Sequence, residues 1–162
     1  MDDALEIMNE LGKTLPRFPD GRIDYTHAKS APVVVSFVRH KGKILLIKRS
    51  DKVAFYKRMW NSVSGYLDDM KPVKEKALEE LEEELGIVKK DISSMKEGKT
   101  FRVVDKKINR EWIIFTVLVE LETIPEIRLE QENTRYIWIR PEELQAFDTV
   151  PGLEEELKAA LS

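Results

Sequence analysis

Glutamates stand at positions 75, 79, 80, 82, 83 and 84, in a stretch that follows Gly65 and closes on Gly86. At ~100° per residue this stretch unrolls as a helix. Val73, Ala77, Leu78, Leu81 and Leu85 fall in an arc of about 140° and form a stripe suited to a core. Glu80 and Glu84 are four residues apart, and Glu83 is three from Glu80. These three share a strip about 100° wide beside the apolar stripe. Glu75, Glu79 and Glu82 point elsewhere, toward water. Like charges at this spacing repel by roughly a few tenths of a kcal/mol when exposed, and by more when desolvated. Two arrangements answer the repulsion. One is a solvated acidic face, with Lys76 pairing to Glu80 four residues on. The other is a strip of hard oxygen donors that holds divalent cations, which in turn hold a pyrophosphate. Residue types and spacing leave both open.

Composition narrows the chemistry. The chain has 162 residues, 42% apolar and 35% charged, which suits one soluble globular domain with its own core. It contains no cysteine and two histidines, His27 and His40, both expected at the surface. Disulfides, thiol nucleophiles and zinc–thiolate sites are therefore excluded, and any metal site must rest on oxygen ligands. A net charge of −3 gives no case for binding duplex nucleic acid. No apolar run reaches the ~18 residues of a membrane span. The acidic opening MDDALEIMNE has no apolar signal region, so a cytoplasmic protein without a membrane partner is expected.

Around the central stretch the chain alternates strand and helix signals. Residues 2–15 read as an amphipathic helix capped by Asp2 or Asp3, with Leu5, Met8 and Leu11 on one side. RIDYTH is a short strand candidate after the turn PRFPDGR. APVVVSFVRH and ILLIKRS read as a hairpin around KGK. Residues 51–60 form a loop with aromatic and basic side chains, and NSVSG leads as a strand or turn to Gly65. Pro72 suits the first turn of the central helix and Gly86 its stop. TFRVVD and REWIIFTVLVELE are strands joined at Lys106, Lys107 and Asn109. RYIWIR is a last strand, and helices open near Pro141 and Pro151. Trp60, Trp112 and Trp138 are assigned to core packing. Few strand pairs have a helix-sized crossover, so a mixed sheet with helices on both faces is expected.

The segment from Gly65 to Ile87 resembles the Nudix box, G-x5-E-x7-R-E-U-x-E-E-x-G-U, with U a bulky aliphatic residue. Gly65, Glu80, Leu81, Glu83, Glu84, Gly86 and Ile87 occupy its positions. KGKILLIKRS and MWNSVSGYLD look like the family's lead-in, and ENTRYIWIRPEEL like its closing strand and helix. The likeness spans roughly residues 32 to 147, flanked by an N-terminal extension over 1–30 and a C-terminal helix over 151–162 of one domain. It implies an α/β (α+β) fold, an α/β/α sandwich around a mixed sheet. Two positions depart from the pattern: Lys71 stands for the first box glutamate and Glu79 for the box arginine. Both signs are reversed together, so we expect a swapped ion pair that still ties loop to helix. Two independent losses in an inactive copy are the rival account.

The resemblance implies a metal-dependent hydrolase that cleaves the pyrophosphate of a nucleoside diphosphate linked to another group, with Mg²⁺ or Mn²⁺. It places Glu84 and Glu80 first among the metal ligands, then Glu83 and the Ser64 carbonyl, with Gly65 allowing a tight turn and close backbone approach. The general base comes from the box helix, Glu83 or Glu80, or from a later loop, where Glu132 has matching spacing and Glu130 is its neighbour. Arg49 could meet a phosphate, and Phe55 and Tyr56 could stack on a base; packing or surface roles compete for all three. A small-molecule nucleoside diphosphate derivative is the expected partner, and a homodimer through the N-terminal segment is open. Two other functions compete: an inactive nucleotide-binding module, and an isomerase like isopentenyl-diphosphate isomerase. The absence of cysteine argues against the isomerase.

Overall fold

The computed structural model describes residues 3–162. Its axis is the β-branched run, which forms β1 (Ser30–His40). Alternate residues of β1 serve two cores. Val34 and Val38 face one, Val35 and Phe37 the other, and all four are buried. That double burial is why the run is continuously apolar. β1 lies parallel to β7 (Arg110–Leu121) along one edge, from Ser30↔Glu111 to Arg39↔Glu120. The other pairings are antiparallel, so the sheet is mixed as expected.

The other edge of β1 is shared. β2 (Lys43–Arg49) pairs only at its far end, Arg39↔Ile44 and His40↔Lys43. The turn between them holds Lys41 at φ 49° and Gly42 at φ 80°, the two positive values of a tight hairpin. β2 then diverges to pair with β8 (Asn133–Ile139) and with β3 (Trp60–Asn61). The vacated half of the β1 edge takes β4 (Val63–Tyr66), from Val33↔Tyr66 to Ser36↔Val63. β5 (Ile92–Glu97) and β6 (Phe101–Asp105) both pair with β7.

Two helical layers cover the sheet. α1 (Asp3–Gly12) and α2 (Val73–Leu85) bury Ala4, Met8, Val73, Ala77, Leu81 and Leu85 in the first core. α3 (Leu153–Leu161) and a 3₁₀ segment, Pro141–Ala146, put Leu144, Leu153, Leu157 and Ala160 into the second. The architecture is an α/β/α sandwich. Among the described residues, no helix is long and apolar enough to cross a membrane.

Several local expectations need correction. RIDYTH makes no strand, only a bridge from Ile23 to Arg17. The Asp20–Gly21 turn leaves it too short for a ladder, and Ile23 N–H bonds instead to Asp68 O at 2.9 Å. β5 was not anticipated: ISSMKE has a weak apolar alternation and forms because β7 offers it an edge. Pro72 is the N-cap of α2, one residue outside the expected start. Asp2, offered as the cap of α1, lies outside the described residues; Asp3 is within the helix. Trp112 packs against both cores, as expected, but is only half-buried and also lines a cleft.

Candidate active site

Gly65 is where the helix meets the sheet. It does not form a turn, as expected from its place ahead of the helix; it sits inside β4, opposite Val34. What requires glycine is proximity. A Cβ built there would lie 2.4 Å from Glu80 Cδ and 2.6 Å from Glu80 Oε1. The α2 carboxyl thus rests directly on the strand backbone, beside Ser64. The reversal after β4 comes later, with Met70 at φ 60°.

Glu84 lies one turn beyond Glu80, and its carboxyl is sunk against the loop before β8. Glu84 Oε1 accepts a long bond from Asn133 Nδ2, 3.4 Å, while Oε2 is sealed from solvent with no partner. Burial pushes the Glu84 carboxyl well above its usual range, and Glu80 adds to the shift while Asn133 opposes it. Burial also lifts Glu80 to about 7, against the pull of Lys76. Glu83 projects from the same strip but is exposed.

The end of α2 sets the opposing loop. Gly86 takes φ 74° and donates to Glu82 O, the glycine stop of an αL motif, and Ile87 N–H reaches Leu81 O at 3.2 Å. The loop then docks on carbonyls left free by the stop: Arg128 N–H bonds Leu85 O at 2.9 Å and Glu130 N–H bonds Glu84 O at 3.3 Å. This places Glu130, Gln131 and Glu132 opposite Ser64, Glu80, Glu83 and Glu84 around a cavity of about 420 Å³.

A cationic knot holds the other flank. Lys76 is buried, its Nζ 3.2 Å from Asp69 Oδ2, 3.4 Å from Asp68 Oδ1 and 3.8 Å from Glu80 Oε1. The expected Lys76–Glu80 pair is therefore the longest of three contacts. Burial pulls the ammonium down, but the surrounding carboxylates outweigh it and its pKa is raised. Asp68 and Asp69 escaped the sequence reading; two consecutive acids before a proline look like any solvated loop. Lys71 Nζ meets Glu79 Oε2 at 2.5 Å, so the two residues with reversed signs do touch. Glu79 is accordingly half-buried on the cleft side and does not point freely into water.

The cavity adjoins a larger cleft of about 580 Å³ that shares Ser64, Glu80, Glu83 and Glu132 with it. Arg49, at the end of β2, lies in this cleft; its Nε donates to Phe55 O at 3.0 Å. Phe55, Tyr56 and Trp112 form an aromatic wall, with Phe55 edge-on to Trp112 at 5.7 Å. Tyr56 sits at φ 57°, unusual for a bulky residue, and its hydroxyl explains how it is held. It donates to Asp105 at 2.8 Å and accepts from Trp112 Nε1 at 2.9 Å. Arg110, missed from the sequence because it looked like a strand-edge charge, is buried behind the wall. Its guanidinium stacks 5.0 Å from both the Phe55 and Trp112 rings and bonds Tyr25 O at 2.7 Å.

Could these residues hold a hard divalent cation? Among the described residues, no three acidic or histidine side chains already stand close enough to share one. Three observations nonetheless fit. The donors are all oxygen, Glu84 Oε2 is buried without a partner, and a glycine is required where Glu80 lies on the strand. The residues fit Mg²⁺ or Mn²⁺ better than a softer ion.

A family sequence profile described as NUDIX domain matches residues 27–160. The chain belongs to the Nudix family. Solved structures agree at the level of fold. A MutT Nudix hydrolase from Burkholderia pseudomallei is 22% identical, with 80% of this chain and 97% of that one covered, at a TM-score of 0.66. The Nudix domain of Shewanella oneidensis NrtR, complexed with ADP ribose, is 12% identical over 100% of both chains, TM-score 0.66. A C. elegans Ap4A hydrolase in a binary complex is 17% identical, covering 82% and 94%, TM-score 0.62. No protein of curated function matches the chain. The profile shows the family, and the solved structures, all under 25% identical, show the fold.

Proposed function

We propose that this Nudix hydrolase cleaves the diphosphate link of a nucleoside diphosphate joined to a second group, with Mg²⁺ or Mn²⁺ held by Glu80 and Glu84. Glu83 and the Ser64 carbonyl complete the candidate ligand set. The observation that carries the reading is Glu84 Oε2, a carboxylate oxygen buried without a partner beside a cavity that opens onto a cleft walled by aromatic rings. Such an oxygen is costly in a dry site unless a cation meets it. When bound, the ion would neutralise phosphate charge and make a water more acidic.

The chain's own groups supply the rest. Gly65 lets Glu80 lie against β4, and the Lys71–Glu79 pair fastens the preceding loop to α2. Arg49, oriented by the Phe55 carbonyl, is assigned to a phosphate oxygen. Glu132 is exposed and lines both cavities, so it can reach a water attacking phosphorus and take its proton; Glu83 is the alternative on α2. Phe55 and Tyr56, joined by Trp112, offer faces on which a base can stack. ADP ribose and Ap4A, named with two of the structural relatives, belong to the adenosine-phosphate class that such a cleft suits.

The test is a panel of nucleoside diphosphate compounds, including ADP-ribose and a sugar nucleotide, with Mg²⁺ or Mn²⁺. Wild type should turn over at least one, and Glu84→Gln should lower kcat by roughly 100-fold or more and abolish Mn²⁺-induced thermal stabilisation. Turnover that survives the substitution would remove Glu84 from the ligand set. Binding without turnover of any compound would replace the hydrolase reading with a nucleotide-binding module.

A further inference from the structure

At the end of the cleft away from α2 lies a carboxyl that the hydrolysis does not use. Glu156, on α3, lines the cleft beside Val35, Ile114, Val150 and Pro151. It is 3% exposed, and its Oε2 is sealed without a hydrogen-bond partner. Its chain neighbours Glu154 and Glu155 are exposed, so the acidic run is solvated except at this one position. Leucine would fill the site with no polar atom to satisfy, and α3 uses Leu153 and Leu157 on its adjoining buried positions.

The backbone beneath Glu156 is pinned. Trp60 N–H bonds Asp148 O at 2.8 Å, and Val150 N–H bonds Trp60 O at 3.0 Å. Gly152 caps α3 at φ 85°, and Glu156 N–H closes the first turn on Gly152 O at 2.9 Å. The cleft's floor is thus tied to β3, and the backbone that carries Glu156 is held there.

We propose that Glu156 is a base-reading residue, whose carboxyl rotates to bring both oxygens to the cleft and forms paired hydrogen bonds with an adenine base, where the N6 donor stands beside the N1 acceptor. This rests on the cleft being a nucleoside diphosphate site. A neutral carboxyl carries one O–H donor next to one acceptor oxygen, the complement of an N–H beside a ring nitrogen or carbonyl. Burial supports the neutral form, pushing the Glu156 carboxyl up to about 8, with Glu155 adding to the shift. The apolar side chains beside Glu156 lower the local polarity and strengthen bonds made there.

The test compares adenosine 5′-monophosphate with its benzimidazole counterpart, which keeps the bicyclic shape but lacks the N1 acceptor and the N6 donor. Calorimetry without metal reads binding, and hydrolysis of the matching diphosphates with Mn²⁺ reads KM and kcat. Wild type should favour adenine by 10-fold or more in Kd and KM. Glu156→Gln, whose amide also sets a donor beside an acceptor, should keep the preference. Glu156→Leu should lose it with kcat little changed. Equal affinity of wild type for the two bases overturns the proposal, with or without a folded leucine variant. So does a leucine variant that still discriminates, or a glutamine variant that does not. Base discrimination in binding without turnover of any diphosphate would support the role of Glu156 while removing the hydrolase reading.

Discussion

Replacing Glu156 by glutamine should flatten the pH dependence of stability. The folded carboxyl titrates at about 8 against an ordinary 4.5, raised by burial first and by Glu155 second. A carboxyl whose pKa is raised by folding holds its proton longer in the native state. Its contribution is intact below 4.5 and is lost as pH climbs through about 8. At ~1.4 kcal/mol per pH unit, that gap sets a limit of about 5 kcal/mol. Relaxation of α3 and entry of water reduce it, so a loss of ~3 kcal/mol between pH 5 and pH 9 is the expected size. That is a large share of the total for a domain of this length. Urea unfolding at pH 5, 7 and 9 for wild type and Glu156→Gln gives the difference directly. Other titrating groups act on both proteins and cancel. The two curves should diverge with rising pH, the variant becoming relatively more stable. Parallel curves, differing by a constant offset within ~0.5 kcal/mol, would show that Glu156 is not held neutral by its surroundings.

Gly65→Ala should push the Glu80 carboxyl off β4, destabilising the fold by about 1–3 kcal/mol and reducing turnover at least 10-fold; unchanged kinetics would mean the contact is slack. Removing the buried ammonium with Lys76→Met leaves Asp68, Asp69 and Glu80 facing one another, at a cost of about 3 kcal/mol in urea unfolding, and adding Asp69→Asn should recover part of it. The charge-reversed pair Lys71→Glu with Glu79→Arg should melt above the poorer of its two single variants and keep more activity than either. A double variant no better than the singles would show that the contact carries no coupling.

Much of this could be read along the chain because it depends on neighbours in sequence. The 3.6-residue period of α2 set Glu80 and Glu84 beside the apolar stripe, and Gly86 marked its end. The β-branched run from Ala31 announced a strand, and the reversed signs at Lys71 and Glu79 suggested a contact one loop apart. What the period cannot convey is which of several like residues meets a surface that arrives from elsewhere. Six glutamates crowd α2 and three open α3, and nothing local tells that Glu84 has a sealed carboxylate oxygen and Glu83 is exposed, or that Glu156 is buried and Glu155 exposed. The difference appears only when the loop at 128–132 docks on the free carbonyls of α2 and when β3 ties down the segment leading to α3. Arg110 and Asp68 were hidden for the same reason, as was the burial of Lys76, since each depends on partners distant in sequence or across a turn. A carboxyl's chemistry is set by its solvation and its nearest charges, and both are properties of the assembled fold.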